Sequence, residues 1–146
     1  MIGLLQRVSR AQVESGGEVI AKIDRGLLVL TAFSRGDRAE RLPRFLERLL
    51  GYRVFADADG RMNRSLRDVG GGLLLVPQFT LAADTDSGNR PSFTPAAPAG
   101  EGAALFRQLL EQARATWPNT AAGRFGADMQ VSLTNDGPVT FWLEVH

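Results

Sequence analysis

The sequence predicts an α+β fold, one layered domain spanning 1–146 with a mixed or antiparallel β-sheet of at least seven strands and at least two helices. Three observations predict it. Apolar and polar residues alternate in pairs along much of the first and last thirds, the period of a half-buried strand. Two stretches, near 43–50 and 103–117, instead carry apolar residues at helical spacing. No repeat, linker or break in composition divides the chain. A chain of 146 residues, 44% of them hydrophobic, can bury roughly 68–70% of its unfolded surface in one core.

The elements follow in order. Leu4 to Val13 reads as a strand, Ser15-Gly16-Gly17 as a hairpin turn, and Glu18 to Ile23 as the return. Gly26 to Phe33 is a continuous apolar run, the pattern of a buried strand. Asp37 followed by Glu40 has capping-box spacing. Leu42, Phe45, Leu46, Leu49 and Leu50 then predict a helix over 43–50. Pro43 leaves a start at 38 open. Tyr52 to Phe55 is a short strand and Asp57-Ala58-Asp59-Gly60 a turn. Gly70-Gly71-Gly72 introduces a long strand from Leu73 through Leu81. On it Gln78 and Thr80 share one face, with Phe79 and Leu81 on the other. Pro77 cannot donate to a ladder, which predicts an edge or a bulge there. Asp84 to Gly100 is a Pro-, Ser- and Gly-rich connection long enough to suggest function. A second helix spans 103–117, with Leu105, Phe106, Leu109, Ala113 and Trp117 facing the core and Pro118 closing it. Arg124 to Ala127 is a loop, Met129 to Thr134 a strand, and Asp136-Gly137 the turn of a hairpin into the final strand, Val139 to Val145.

Composition removes several kinds of chemistry. There is no cysteine, and the one histidine is His146 at the last position. Ser-His-Asp triads, Cys-His pairs and His-based metal sites are therefore excluded. Lys22 is the sole lysine. Asp57, Asp59 and Asp68 suit a magnesium site only weakly and read better as a solvated loop, so no metal and no cofactor is assigned. No apolar run approaches the ~20 residues of a membrane helix, and Arg7 comes too early for a signal peptide. A cytoplasmic location is expected. The net charge of +1 gives no global attraction to nucleic acid. Two arginine series could still be solvated faces or an RNA-backbone track. They are Arg61, Arg64 and Arg67, and Arg35, Arg38, Arg41, Arg44 and Arg48 along a helical stretch.

Two segments place polar groups and constrained backbone inside apolar strand pattern: Pro77-Gln78-Phe79-Thr80-Leu81 and Asn135-Asp136-Gly137-Pro138-Val139-Thr140. In this order and spacing, Gln78 to Leu81 and Asn135 to Thr140 closely resemble the two signature motifs of the D-aminoacyl-tRNA deacylase family. Gln6 to Ala11, Gly26 to Leu30, Met62-Asn63, Arg90 to Phe93 and Gly123 to Met129 are also similar to that family, so the resemblance covers essentially the whole chain. Pro77 stands where the family motif often begins with serine. A mechanism that needs a hydroxyl there is ruled out for this chain.

The resemblance implies a layered sheet and a homodimer with active sites at the interface. It implies as substrate the ester between an amino acid and the terminal adenosine of tRNA, hydrolysed with help from a neighbouring ribose hydroxyl. The absence of internal His and Cys fits that mechanism independently. Gln78, Phe79 and Thr80 are expected to form the catalytic segment, their backbone amides binding the ester and the Gln78 side chain orienting ribose or water. Phe125 and Met129 resemble the adenine-pocket residues, and Arg7 the arginine that supports the Gly-Pro turn. Gly137-Pro138, cis in the family, is expected to exclude L side chains while admitting D-amino acids and glycine. Two other functions remain open at this level: a small-ester hydrolase dependent on Thr80, and a tRNA-binding module without activity.

Overall fold

A computed structural model describes residues 1–146. It is α+β: a six-stranded sheet, a separate two-stranded ribbon and three α-helices. Strand β1 (Ile2–Ser15) turns at Gly16-Gly17 into β2 (Glu18–Ile23), and β3 (Gly26–Ala32) follows. The pairs Ala11↔Ile23 and Val8↔Gly26 keep one register, so β2 and β3 lie end to end along β1. Strand β6 (Gly72–Pro77) runs parallel to β3, and β7 (Thr120–Ala122) parallel to β6. The chain between β3 and β6 holds α1 (Leu42–Gly51), the ribbon β4 (Phe55–Ala56) and β5 (Met62–Arg64), and the one-turn helix α2 (Leu66–Val69). Helix α3 is Ala99–Thr116, and β8 (Gln130–Glu144) pairs antiparallel with β1 over nearly its full length.

The helical spacing in α1 puts Leu42, Phe45, Leu46, Leu49 and Leu50 into the core, and α3 adds Leu105, Phe106, Leu109 and Ala113. They meet Leu5, Leu27, Val29, Leu73, Leu75 and Leu143 on one sheet face. Each such side chain contributes about 1.5–3 kcal/mol when fully buried. Val8, Ala11, Val13, Ala21, Ile23, Leu28, Leu74 and Val76 form a smaller core on the other face. The parallel strands start very close together. A Cβ on Gly26 would collide with the Gly72 carbonyl, so only glycine fits at that position.

Several sequence expectations need correction. The strand beginning at Gly72 stops at Pro77, and Phe79–Ala82 form a 3₁₀ turn. Gln78 and Thr80 are therefore not strand neighbours. Pro77 is at a local edge, as expected, although β6 is an inner strand over its earlier residues. It sits opposite Thr31 of β3, beyond the end of β7, which pairs only with Leu73–Leu75, so its missing N–H costs no ladder bond. No hairpin turns at Asp136-Gly137. β8 is one strand whose two halves both pair with β1, and Asn135 to Thr140 is an irregularity between Val8↔Asn135 and Gln6↔Thr140.

Asp37 does not cap a helix. Its carboxylate lies 2.6 Å from the Met1 ammonium and accepts from the Ser34 amide. Tyr52 to Val54 are not a strand; only Phe55-Ala56 pair, with Met62–Arg64. The five-arginine series is not one helical face. Arg44 and Arg48 lie on α1 and Arg41 on the 3₁₀ turn before it, while Arg35 donates to the Thr94 carbonyl. The side chains of Asp57 and Asp68 are taken up by local hydrogen bonds, to Asn63 and nearby amides and to Ser65. These bonds hold both carboxyls below the ordinary aspartate range, chiefly through Asn63 for Asp57 and through the Ser65 amide for Asp68.

Candidate active site

The chain leaves β6 at Pro77 and turns at once. The Gln78 amide donates to the Thr31 carbonyl at 2.7 Å, which fixes the start of the turn on β3. The internal bonds of the turn begin with the Leu81 amide donating to the Gln78 carbonyl. The amides of Phe79 and Thr80 precede these bonds and are left outside them, as at the start of any helical turn. The Gln78 side-chain amide donates to Thr80 Oγ1 at 2.6 Å. The two polar side chains meet because the chain turns, not because they share a strand face.

Beside this turn is a cavity of about 340 Å³ lined mainly by Phe33, Pro77, Phe79, Ala97, Phe125 and Gly126. Its lining carries no ionisable side chain. Phe79 is 53% exposed and packs at a tilt against Phe93, with ring centroids 5.0 Å apart. Phe125 lies against Phe106 at 6.4 Å, and a Cβ on Gly102 would be 3.3 Å from its ring, so the glycine in α3 leaves the ring its space. Met129 is not among the lining residues. Its sulfur accepts from the Arg124 amide at 3.3 Å and would meet a Cβ on Gly123 at 2.8 Å. Met129 thus holds the loop that carries Phe125.

The second motif is built elsewhere. The Gly137–Pro138 peptide is cis. Asn135 closes the irregularity on itself: its Oδ1 accepts from the Val139 amide at 2.7 Å, and its Nδ2 donates to the Val139 carbonyl and to Thr140 Oγ1. Arg7 reaches across from β1. Its Nε donates to the Asp136 carbonyl and its Nη1 to the Val54 carbonyl, both at 2.7 Å. Arg7 thereby ties the bulge to the chain leading into β4. No residue of Asn135–Thr140 lines the cavity. β1 and β3 lie between β8 and β6, a lateral separation of about 14 Å at three strand spacings.

Of the residues singled out in the sequence, Gln78, Phe79, Thr80 and Phe125 are gathered at one place, Met129 supports it, and Arg7, Gly137 and Pro138 form a separate cluster. Sequence reasoning missed Phe33 in the cavity wall and the organising role of Asn135. The asparagine was readable, because Asn commonly bonds its own backbone a few residues on. Phe33 carried no signal beyond closing an apolar strand.

A family model described as D-Tyr-tRNA(Tyr) deacylase matches residues 4–144. A D-aminoacyl-tRNA deacylase of Nitrosococcus oceani is 63% identical over 99% of this chain and 94% of its own length. One of Pseudomonas putida is 61% identical over 99% of this chain and all of its own. Among solved structures, a c-Myc DNA unwinding element binding protein is 40% identical with a TM-score of 0.94, covering 100% of this chain and 99% of that one. A probable eukaryotic D-amino acid tRNA deacylase shares the fold at 18% identity and a TM-score of 0.86, over 99% and 98% of the two chains.

Proposed function

The chain belongs to the D-Tyr-tRNA(Tyr) deacylase family, and from that premise we propose that it hydrolyses the ester of D-aminoacyl-tRNA in the cytoplasm and spares L-aminoacyl-tRNA. The observation that carries the reading is the Gln78–Thr80 turn with two amides outside its own bonds, beside an aromatic cavity that lacks any ionisable group. Phe125 and Phe33 hold the terminal adenine by aromatic contact. Water attacks the ester carbonyl as a C–O bond forms. The Phe79 and Thr80 amides stabilise the oxyanion. The bond to the ribose oxygen breaks, and that oxygen receives the proton. The neighbouring ribose hydroxyl orients the water, since the protein offers no base at the cavity. Gln78 holds the ribose or the water. Thr80 positions Gln78 and is not a nucleophile.

The active unit is a homodimer. In one chain, Gly137-Pro138 lies about 14 Å across the sheet from the turn, so a second copy must bring it to the ester. Two features of β8 support this. β8 is an edge strand, and Val131, Leu133 and Trp142 are at least 36% exposed along it. Unpaired edges and exposed apolar side chains are features that association removes. Gly137-Pro138 of the second copy then presents backbone against one side of the substrate's α-carbon. An L side chain is refused there, and a D side chain or the hydrogen of glycine is admitted.

Rates on matched D-alanyl-, L-alanyl- and glycyl-tRNA test the reading: fast, negligible and fast are expected. Equal D and L rates, or refusal of glycine, would overturn the selectivity. Replacing the ribose hydroxyl beside the ester with hydrogen should abolish most of the rate. Sedimentation at the assay concentration should give a dimer, and a fully active monomer would refute the shared site.

A further inference from the structure

We propose that the exposed pair Phe79–Phe93 is a stacking ledge for an unpaired base of the substrate's 3′ strand, the one next to the terminal adenosine. The inference rests on the reading of the cavity as the adenine site.

Phe79 and Phe93 are 53% and 43% exposed, with centroids 5.0 Å apart and an interplanar angle of 56°. Large rings left this open are costly to hydrate and call for an occupant. The backbone displaying them is fixed. Ser92 exchanges two backbone hydrogen bonds with Asp84, and the Phe93 carbonyl accepts from the Ala96 amide. Beyond it, the Arg35 amide donates to the Pro95 carbonyl, Arg35 Nε to the Thr94 carbonyl, and the Ala97 amide to the Phe33 carbonyl. On the other side, Phe79 opens the 3₁₀ turn anchored on Thr31. Two apolar rings held in place at the surface form a preorganised platform, and little order remains to be imposed when a flat partner arrives.

The rings also touch the cavity, so a strand whose last base enters the cavity leaves it past them. Its next base is single-stranded, and every base has a π-face that an aromatic ring can stack on whatever its identity. The ledge would thus grip the strand whatever the identity of that base. An amino-acid side chain and a second protein copy are the competing occupants.

The experiment compares two substrates on wild type, Phe93→Leu and Phe93→Trp. One is D-alanyl-tRNA. The other is 3′-O-(D-alanyl)adenosine, which has no second base. Phe93→Leu keeps an apolar side chain and removes the π-face. Stacking worth ~1–3 kcal/mol per base predicts that its KM rises about tenfold more on the tRNA than on the adenosine ester, with kcat on the two falling alike. Phe93→Trp should restore the ratio. Equal losses on both substrates would overturn the ledge, because adenine, amino acid or fold would then be responsible. No loss on either, or a changed sedimenting mass, would overturn it as well. If wild type leaves D-alanyl-tRNA intact, the deacylase reading fails and the ledge with it. If wild type is active and only the ratio is flat, the ledge alone fails.

Discussion

The turn at Gln78–Ala82 and the bulge at Asn135–Val139 are two irregular segments of the sheet, and they hold their shapes in opposite ways. The turn is held by backbone: Gln78 on the Thr31 carbonyl, then two bonds of its own. Its side chains are left available, with Gln78 and Thr80 bonded only to each other and the Phe79 ring in solvent. The bulge is held by side chains. Asn135 makes three hydrogen bonds within it, and Arg7 ties its Asp136 carbonyl to that of Val54. Its backbone is what remains to be presented. One segment is fixed by backbone and leaves side chains and two amides free, and the other is fixed by side chains and leaves backbone free. Substitutions should therefore act on the two segments through different quantities.

The largest effect is expected at Arg7. Arg7→Ala removes two charge-assisted bonds, one exposed to the Asp136 carbonyl and one partly buried to that of Val54, a loss of about 3 kcal/mol. Urea unfolding should show it, and deacylation should fall at least tenfold at the same time. A stability change under about 1 kcal/mol would mean that the bulge holds itself. Asn135→Ala comes next, with about 2 kcal/mol lost from three neutral bonds. Asn135→Asp keeps the acceptor for the Val139 amide and should recover part of that loss, which thermal melts of the three proteins would resolve.

At the turn the balance reverses. Thr80→Val removes one exposed side-chain bond and should leave stability within about 0.5 kcal/mol. With no base to activate the hydroxyl, the variant should keep at least about a tenth of the wild-type rate, the worth of one neutral hydrogen bond. An inactive variant together with an acyl-Thr80 species in wild type, seen by mass spectrometry, would instead make Thr80 a nucleophile.

The smallest effect is expected in the β4–β5 ribbon, near the Val54 carbonyl that anchors Arg7. Asn63 is the main cause of the lowered Asp57 pKa. A depressed carboxyl stabilises the fold above the ordinary aspartate value near 3.9 and loses that contribution as pH falls through its lower folded value. Asn63→Ala should raise the Asp57 pKa toward the ordinary value, so that the stability contributed above that value shrinks and less is lost on acidification. The Asp68 carboxyl, held by Ser65, should not move. NMR titration of the two carboxyls distinguishes them.

The regular parts of the fold were legible in the sequence because one period runs unbroken through each. β1, β2, β3, α1 and α3 lie within a few residues of their expected bounds. The irregular parts were not. Alternation looks the same whether a strand passes through a bulge or reverses in a hairpin, so Asp136-Gly137 read as a hairpin turn. What keeps β8 running on is its pairing with β1, more than a hundred residues away in sequence, which local pattern does not record. Leu73 to Leu81 read as one strand for a similar reason, although the chain turns at Gln78 to bond with Thr31. β4, β5 and α2 are two to four residues long and too short for any period. At the site, of the residues that motif resemblance singled out, Phe79 and Phe125 line the cavity, while Gln78 and Thr80 lie on the turn beside it. Composition showed that no internal His or Cys could be there, but not that Asp, Glu, Lys and Arg would also be absent from the lining.

The pairing of β1 with β8 also sets an order of events during synthesis. Glu14 pairs with Gln130 and Ile2 with Glu144, so the outer edge of β1 has no partner until residues from 130 onward have been made. At about 5–20 residues per second, the 115 residues from Gly16 to Gln130 take roughly 6–23 s to follow. For that interval the nascent chain carries a long open edge, the kind that templates pairing with other chains. The bulge comes with the same late segment. A message broken before that point would yield an adhesive, inactive product and not a weakly active one.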